Sequence, residues 1–262
     1  MQALHKVALA VALIAATGLA LASDPAPIGF LPAGYLDLVD VVPPAPIPQE
    51  PRGVADREVF RLTRALKGTP RWDMAVNDVA SDTPSMMRDF ACAADVALTP
   101  ANAPKTAALL ERVSRDSAAE TNELKRYYKR KRPFLSERGE ICVAADDQLA
   151  ASYDYPSGHA TRGWTWALVL AELADQRAAP ILARGRAFGE SRVVCGVHTM
   201  SAVEAGRLVA SSTIAVVRTE PAYQDAVVAA RRELEALRKS PANLPPQVCA
   251  AEQALVSQPI YR

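Results

Sequence analysis

From residue 54 onward, apolar residues recur at helical spacing and seldom alternate. The text is rich in Ala, Leu, Glu and Arg. It predicts helices over about 54–67, 70–80, 84–97, 104–130, 158–174, 178–194, 202–218 and 221–239. Two stops have local causes: Pro133 closes the fourth helix, and Gly196 follows the sixth. Ahead of the helices, residues 24–51 hold eight of the twenty prolines, Pro43, Pro44, Pro46, Pro48 and Pro51 among them. That density forbids helix and predicts an extended arm, either lying over the domain or loose. No internal repeat and no second domain interrupts the pattern. The expected fold is therefore all-α: a single-domain helical bundle over 54–262, with a proline-rich extended N-terminal arm over 23–53.

The first residues change the picture of where the chain works. His5 and Lys6 precede a run of small and apolar residues over 7–21, and Ala20-Leu21-Ala22 supplies a small-x-small cleavage site. Residues 1–22 read as a signal peptide; the run is short for a membrane span and contains Thr17 and Gly18. No later stretch reads as long and apolar enough to cross a bilayer, so the mature chain is expected off the membrane, periplasmic or secreted. Export also suits Cys92, Cys142, Cys195 and Cys249, an even set that an oxidising compartment could join in three pairings.

Charge and histidine count narrow the chemistry. Lys and Arg total 30 against 29 acids, a net charge of +1, so no long-range field steers nucleic acid to the protein. Half the residues are apolar and 23% charged, which excludes a disordered chain. The composition admits a homo-oligomer. Only His5, His159 and His198 exist, and His5 leaves with the signal. A histidine-rich metal cluster is therefore excluded.

Three segments carry candidate chemistry. In the first, six of the eight residues from Lys125 to Arg132 are basic, directly before Pro133. By itself this reads as a solvated helix end. Lys125 and Arg132 are, however, seven apart, two helical turns, so they share one face, and the proline biases Arg132 out of the helix, which frees its guanidinium to reach inward. An arginine offers a planar fork to a phosphate, and a lysine a point charge. In the second segment, Pro156-Ser157-Gly158-His159 opens an apolar helix. Ser157 is a natural N-cap and Gly158 removes bulk, leaving an anion-binding helix N-terminus with a histidine beside it. The third runs from Ser191-Arg192 to His198 and on to Ser201-Ala202-Val203-Glu204. Ser201 and Glu204 match a capping box, which predicts a helix starting at Ala202 and places His198 in a tight interhelical link.

Taken in order, Lys125-x6-Arg132-Pro133, Pro156-Ser157-Gly158-His159 and Ser191-Arg192-x5-His198 resemble the three-part signature of the type 2 phosphatidic acid phosphatase superfamily. The chain is most similar there to the soluble bacterial class A non-specific acid phosphatases. The likeness extends to the proline-rich approach near 41–48 and the helix over 163–173. Vanadium haloperoxidases share the signature but are much longer. Integral lipid phosphatases share it too but need several membrane spans. The resemblance implies hydrolysis of small-molecule phosphate monoesters without a metal or other cofactor, through a phosphohistidine. His198 would be the nucleophile and His159 the general acid and base. Lys125, Arg132 and Arg192 would bind the phosphoryl oxygens, with Ser157 and the N–H of Gly158 completing the cradle. It also implies a Cys142–Cys195 disulfide, which leaves Cys92 for Cys249.

One position departs from the pattern. Past three residues beyond the nucleophile the family carries an aspartate that orients the imidazole; here that residue is Ala202. Glu204 is already explained by the capping box, and two residues of helix turn it about 200° away from position 202. A carboxylate from elsewhere, a backbone carbonyl or a water are the remaining ways to orient His198. Two readings follow: an active phosphatase, or a catalytically impaired phosphate-binding homologue. On sequence alone, restoring aspartate at Ala202 is expected to raise turnover.

Overall fold

A computed structural model describes residues 29–32, 34–239 and 244–261. The signal-peptide reading of 1–22 and the first residues of the arm lie outside them. The described residues form ten α-helices, with the longest connection over 129–146 between the fourth and the fifth, and no strand is present among them. In chain order these are α1 (Pro51–Thr63), α2 (Pro70–Asn77), α3 (Thr83–Ala94), α4 (Pro104–Tyr128) and α5 (Asp147–Ala151). They continue with α6 (Gly158–Leu173), α7 (Ala178–Val194), α8 (Met200–Val217), α9 (Pro221–Arg238) and α10 (Pro246–Ser257). The all-α expectation holds. α1 starts three residues earlier than the pattern suggests, because Pro51 takes the first helical position, where its missing N–H costs nothing. α5 and α10 were not anticipated.

α6 is the central helix, flanked by α4, α7 and α8. Trp166, Val169 and Leu170 of α6 are fully buried with Phe90, Leu110, Phe188 and Ile214 from the helices around it. The Trp166 indole N–H donates to Ser114 Oγ at 2.9 Å, so the polar edge of this ring is satisfied inside the core. α6 and α7 pack closely because small residues face each other. A Cβ at Gly163 would stand 2.5 Å from the Phe188 ring, and one at Gly185 2.3 Å from the Ala167 methyl. α8 is long and apolar enough to span a membrane by length and composition, contrary to the sequence reading. Most of that stretch is buried against α6 and α4, however, as in the core helix of a globular protein.

The arm lies over the domain. Phe30 and Leu31 donate their backbone N–H groups to Asp116 at 2.9 and 3.0 Å. Leu38 and Val42 are buried, and the hydroxyls of Tyr128 and Tyr155 donate to the carbonyls of Val42 and Pro43, each at 2.6 Å. Two disulfides, Cys92–Cys249 and Cys142–Cys195, match the expected pairing. The first ties α10 to α3. The second ties the loop before α5 to the end of α7.

Candidate active site

The site gathers at one end of the bundle, where α4 and α7 finish and α6 and α8 begin. The basic segment does not stay helical to its proline. α4 ends at Tyr128, and Lys129 turns the chain with a left-handed φ of 50°. Lys125 and Arg132 therefore do not share a helix face. Arg132 is extended, with φ −71° and ψ 148°, as the residue before a proline prefers. Arg132 is buried and Lys125 and Arg130 partly so, while Arg126, Lys129 and Lys131 face solvent. The segment is thus half site and half surface.

His198 sits in the link between α7 and α8, only 2% exposed. The backbone folds back so that the N–H groups of Val197 and His198 both reach the Arg192 carbonyl, at 3.1 and 3.3 Å. Gly196 makes this turn at φ +81°, a conformation that favours glycine. His198 Nδ1 is 2.8 Å from Asp154 Oδ1, and its Nε2 is 3.1 Å from Arg132 Nη1. A carboxylate accepts and a guanidinium donates, so the neutral ring carries its proton on Nδ1 and keeps a lone pair on Nε2. Burial, then Arg132, Lys125, Arg192 and His159, hold the imidazole well below its ordinary pKa, so it stays neutral.

His159 opens α6 behind the Ser157 cap, whose Oγ accepts the Ala160 N–H at 3.3 Å. Its Nε2 donates to the Val79 carbonyl at 3.0 Å, which leaves the Nδ1 lone pair free to take up and pass on a proton. Burial, then Arg192, push its pKa down to about 3. Arg132 donates to the Val197 carbonyl at 2.7 Å and to Ser152 Oγ at 2.9 Å. Lys125 donates to the Tyr153 carbonyl, and burial beside Arg132 lowers its pKa to about 8. Arg192 differs from these. It is 4% exposed, and its Nε and Nη1 find no acceptor among the described residues. Burial, then Arg132, lower it to about 10, still cationic at neutral pH. A buried guanidinium with two nitrogens lacking acceptors, beside two further cations, suits a small multivalent anion.

A family model described as PAP2 superfamily matches residues 108–224, the stretch that holds both histidines and all three cations. An acid phosphatase of Zymomonas mobilis subsp. mobilis is 39% identical over 212 residues, covering 80% of this chain and 80% of its own length. A non-specific acid phosphatase of Salmonella typhimurium is 35% identical over 195 residues, covering 74% and 78%. One from Providencia stuartii is 32% identical over 206 residues, covering 78% and 83%. The chain belongs to the acid phosphatases of the PAP2 superfamily.

Beyond the signature, this member of the family builds its site with residues that sequence reasoning did not single out. Asp154 is fully buried; besides His198 it accepts the Thr199 N–H at 3.2 Å and the Thr199 hydroxyl at 2.8 Å. Burial raises its pKa to about 6, with Arg130 and Thr199 opposing the rise. Arg130 also binds Asp56 Oδ2 and Ser201 Oγ, at 2.8 and 2.7 Å. Asp78, the residue before Val79, pairs with the buried Arg184 at 2.6 Å and accepts the Ser191 hydroxyl at 2.6 Å. One buried ion pair therefore steadies both the carbonyl that holds His159 and the turn of α7 that carries Arg192.

The capping-box expectation is corrected. Thr199 is the N-cap of α8, accepting the Ala202 N–H, and the helix starts at Met200, two residues early. Ser201 is instead bound to Asp56, which accepts its backbone N–H at 2.8 Å. Glu204 is exposed, 4.0 Å from Arg52, and plays no part at His198.

Proposed function

We propose that this protein is an exported acid phosphatase that hydrolyses small-molecule phosphate monoesters through a phosphohistidine on His198, without a metal. The observation that carries this reading is the buried Arg192, whose Nε and Nη1 lack acceptors among the described residues, near a neutral histidine whose Nε2 lone pair, now accepting from Arg132, is the one that can attack. Lys125, Arg132 and Arg192 would hold the three non-bridging oxygens, with Ser157 and the Gly158 N–H at the start of α6. In the first step the Nε2 lone pair attacks phosphorus, the N–P bond forms, and the ester P–O bond breaks. The leaving oxygen takes a proton from His159 Nδ1, which acquires it from solvent when the phosphate dianion binds and offsets the surrounding cations. In the second step His159 accepts a proton from water, whose oxygen attacks phosphorus as the N–P bond breaks. Three cations near the transferring group offset the charge that builds in each transition state.

Export is supported by the character of residues 1–22 and by two disulfides. The test is hydrolysis of p-nitrophenyl phosphate by the purified mature chain, with acid- and base-quenched samples examined for phosphohistidine. Turnover and an acid-labile, base-stable phosphoenzyme are expected, and both should vanish in His198→Ala. A chain that binds phosphate but turns nothing over between about pH 4 and 8 would be the impaired homologue instead.

A further inference from the structure

Asp154 occupies an unusual place for a carboxylate that meets the nucleophile. It stands in the loop before α6, five residues ahead of His159, whereas the family pattern places the orienting aspartate in the first turn of α8, at position 202. Here Ala202 is fully buried in an apolar cluster with Leu124, Tyr155 and Val209. Glu204 points to solvent. The described residues leave His198 Nδ1 one acidic neighbour, Asp154 at 2.8 Å.

The geometry points to Asp154 as the positioning residue for His198, its carboxylate relocated from α8 to the loop that leads into α6. This rests on the reading of His198 as nucleophile. Every contact of Asp154 suits the task. Oδ1 takes the His198 Nδ1–H and the Thr199 N–H, and Oδ2 takes the Thr199 hydroxyl, with Arg130 Nε 3.6 Å away. The Asp154 N–H donates to the Arg130 carbonyl at 2.8 Å, so the same residue fixes the backbone and offsets the charge. The proton on Nδ1 stays there throughout: it directs the lone pair to Nε2 before attack, and the carboxylate stabilises the cationic ring once the N–P bond has formed. Thr199 is at once the cap of α8 and a ligand of Asp154, so α8 still takes part without supplying the acid. The relocation also puts both histidines under one short segment, residues 154–159. It reverses the expectation for Ala202: a carboxylate there would be buried in that apolar cluster and should slow the enzyme.

Four variants test this: Asp154→Asn, Asp154→Ser, Ala202→Asp, and the last two combined, each kept for comparison where phosphate still raises its Tm. Asp154→Asn is nearly isosteric, and kcat should fall about 100-fold or more while KM moves less than about threefold. The ring 15N shifts of His198 should move from one neutral tautomer to a mixture, a change that loss of packing alone would not produce. Ala202→Asp alone should be no faster than the natural chain. Added to Asp154→Ser, it should restore at least about tenfold in kcat, because the family position then holds the acid. An Asp154→Asn enzyme within about threefold of the natural kcat overturns the proposal. So does a combined variant no faster than Asp154→Ser, or a faster Ala202→Asp. If the natural chain forms no phosphohistidine, the nucleophile reading has failed and not this one. If it forms one that Asp154→Asn leaves undiminished in rate, only the relocation has failed.

Discussion

Arg192 is buried with two guanidinium nitrogens unaccepted, and burying such a group without partners costs about 1–3 kcal/mol or more. The free protein is thus strained at the residue that an anion would satisfy. Arg192→Met should leave the Tm of the free protein unchanged or higher while abolishing the rise that phosphate causes. For the natural chain that rise corresponds to about 2.7 kcal/mol at a phosphate level of about 100 times Kd; thermal melts with and without phosphate measure both. At this scale the order of the motifs was legible, and the structure sets Lys125, Arg132, His159 and Arg192 near enough to His198 to act on its charge. Asp154 was not, although it stands only two residues before Pro156. A lone acid in a loop carries no spacing signal, and its partner His198 is 44 residues away. The Val79 carbonyl was further out of reach, since a backbone group leaves no trace in the choice of side chain.

Helices and their ends decide where those side chains stand. The apolar periodicity located eight of the ten helices, and it failed where packing or capping overrides local preference. Thr199 displaces Ser201 as the cap of α8 because Asp56 has already taken the Ser201 N–H and hydroxyl. α5 is only five residues long, too short to show a period. α10 presents few buried residues, and its link to the body includes the Cys92–Cys249 bond across 157 residues of chain. Replacing both cysteines by serine should therefore destabilise the fold by about 2–5 kcal/mol, read from urea melts, with kcat per folded molecule unchanged. The Cys142–Cys195 pair differs in kind. It braces the end of α7 three residues before His198, and the Cys142 N–H donates to the Cys195 carbonyl at 2.9 Å. Losing it should lower kcat as well as stability.

Across the whole molecule a net charge of +1 hides a strongly cationic centre. His159 is held at about 3, below its ordinary value, so the unfolded chain takes up a proton that the folded site refuses. That contribution weakens the free protein as pH falls through about 6.5 toward 3. Asp154, raised to about 6, acts in the opposite direction between about 4 and 6. Burial first, then the cations led by Arg192, depress His159; a bound dianion offsets the cations and so favours its protonation. Sulfate, whose own charge is constant in this range, should therefore stabilise the protein more at about pH 5 than at about pH 7, as melts at both pH values will report. The fold class could be read from periodicity because helices are local. The site could be read only in part because its contacts are not. His159 reaches back 80 residues to Val79, and Arg132 spans 66 to His198. It follows that no short contiguous piece of this chain can hold the site: from Val79 to Thr199, every intervening helix has to be in place before the first ester is cleaved. Turnover is consequently a direct count of fully assembled molecules, and a partly folded or clipped population should register as missing enzyme rather than as slower enzyme.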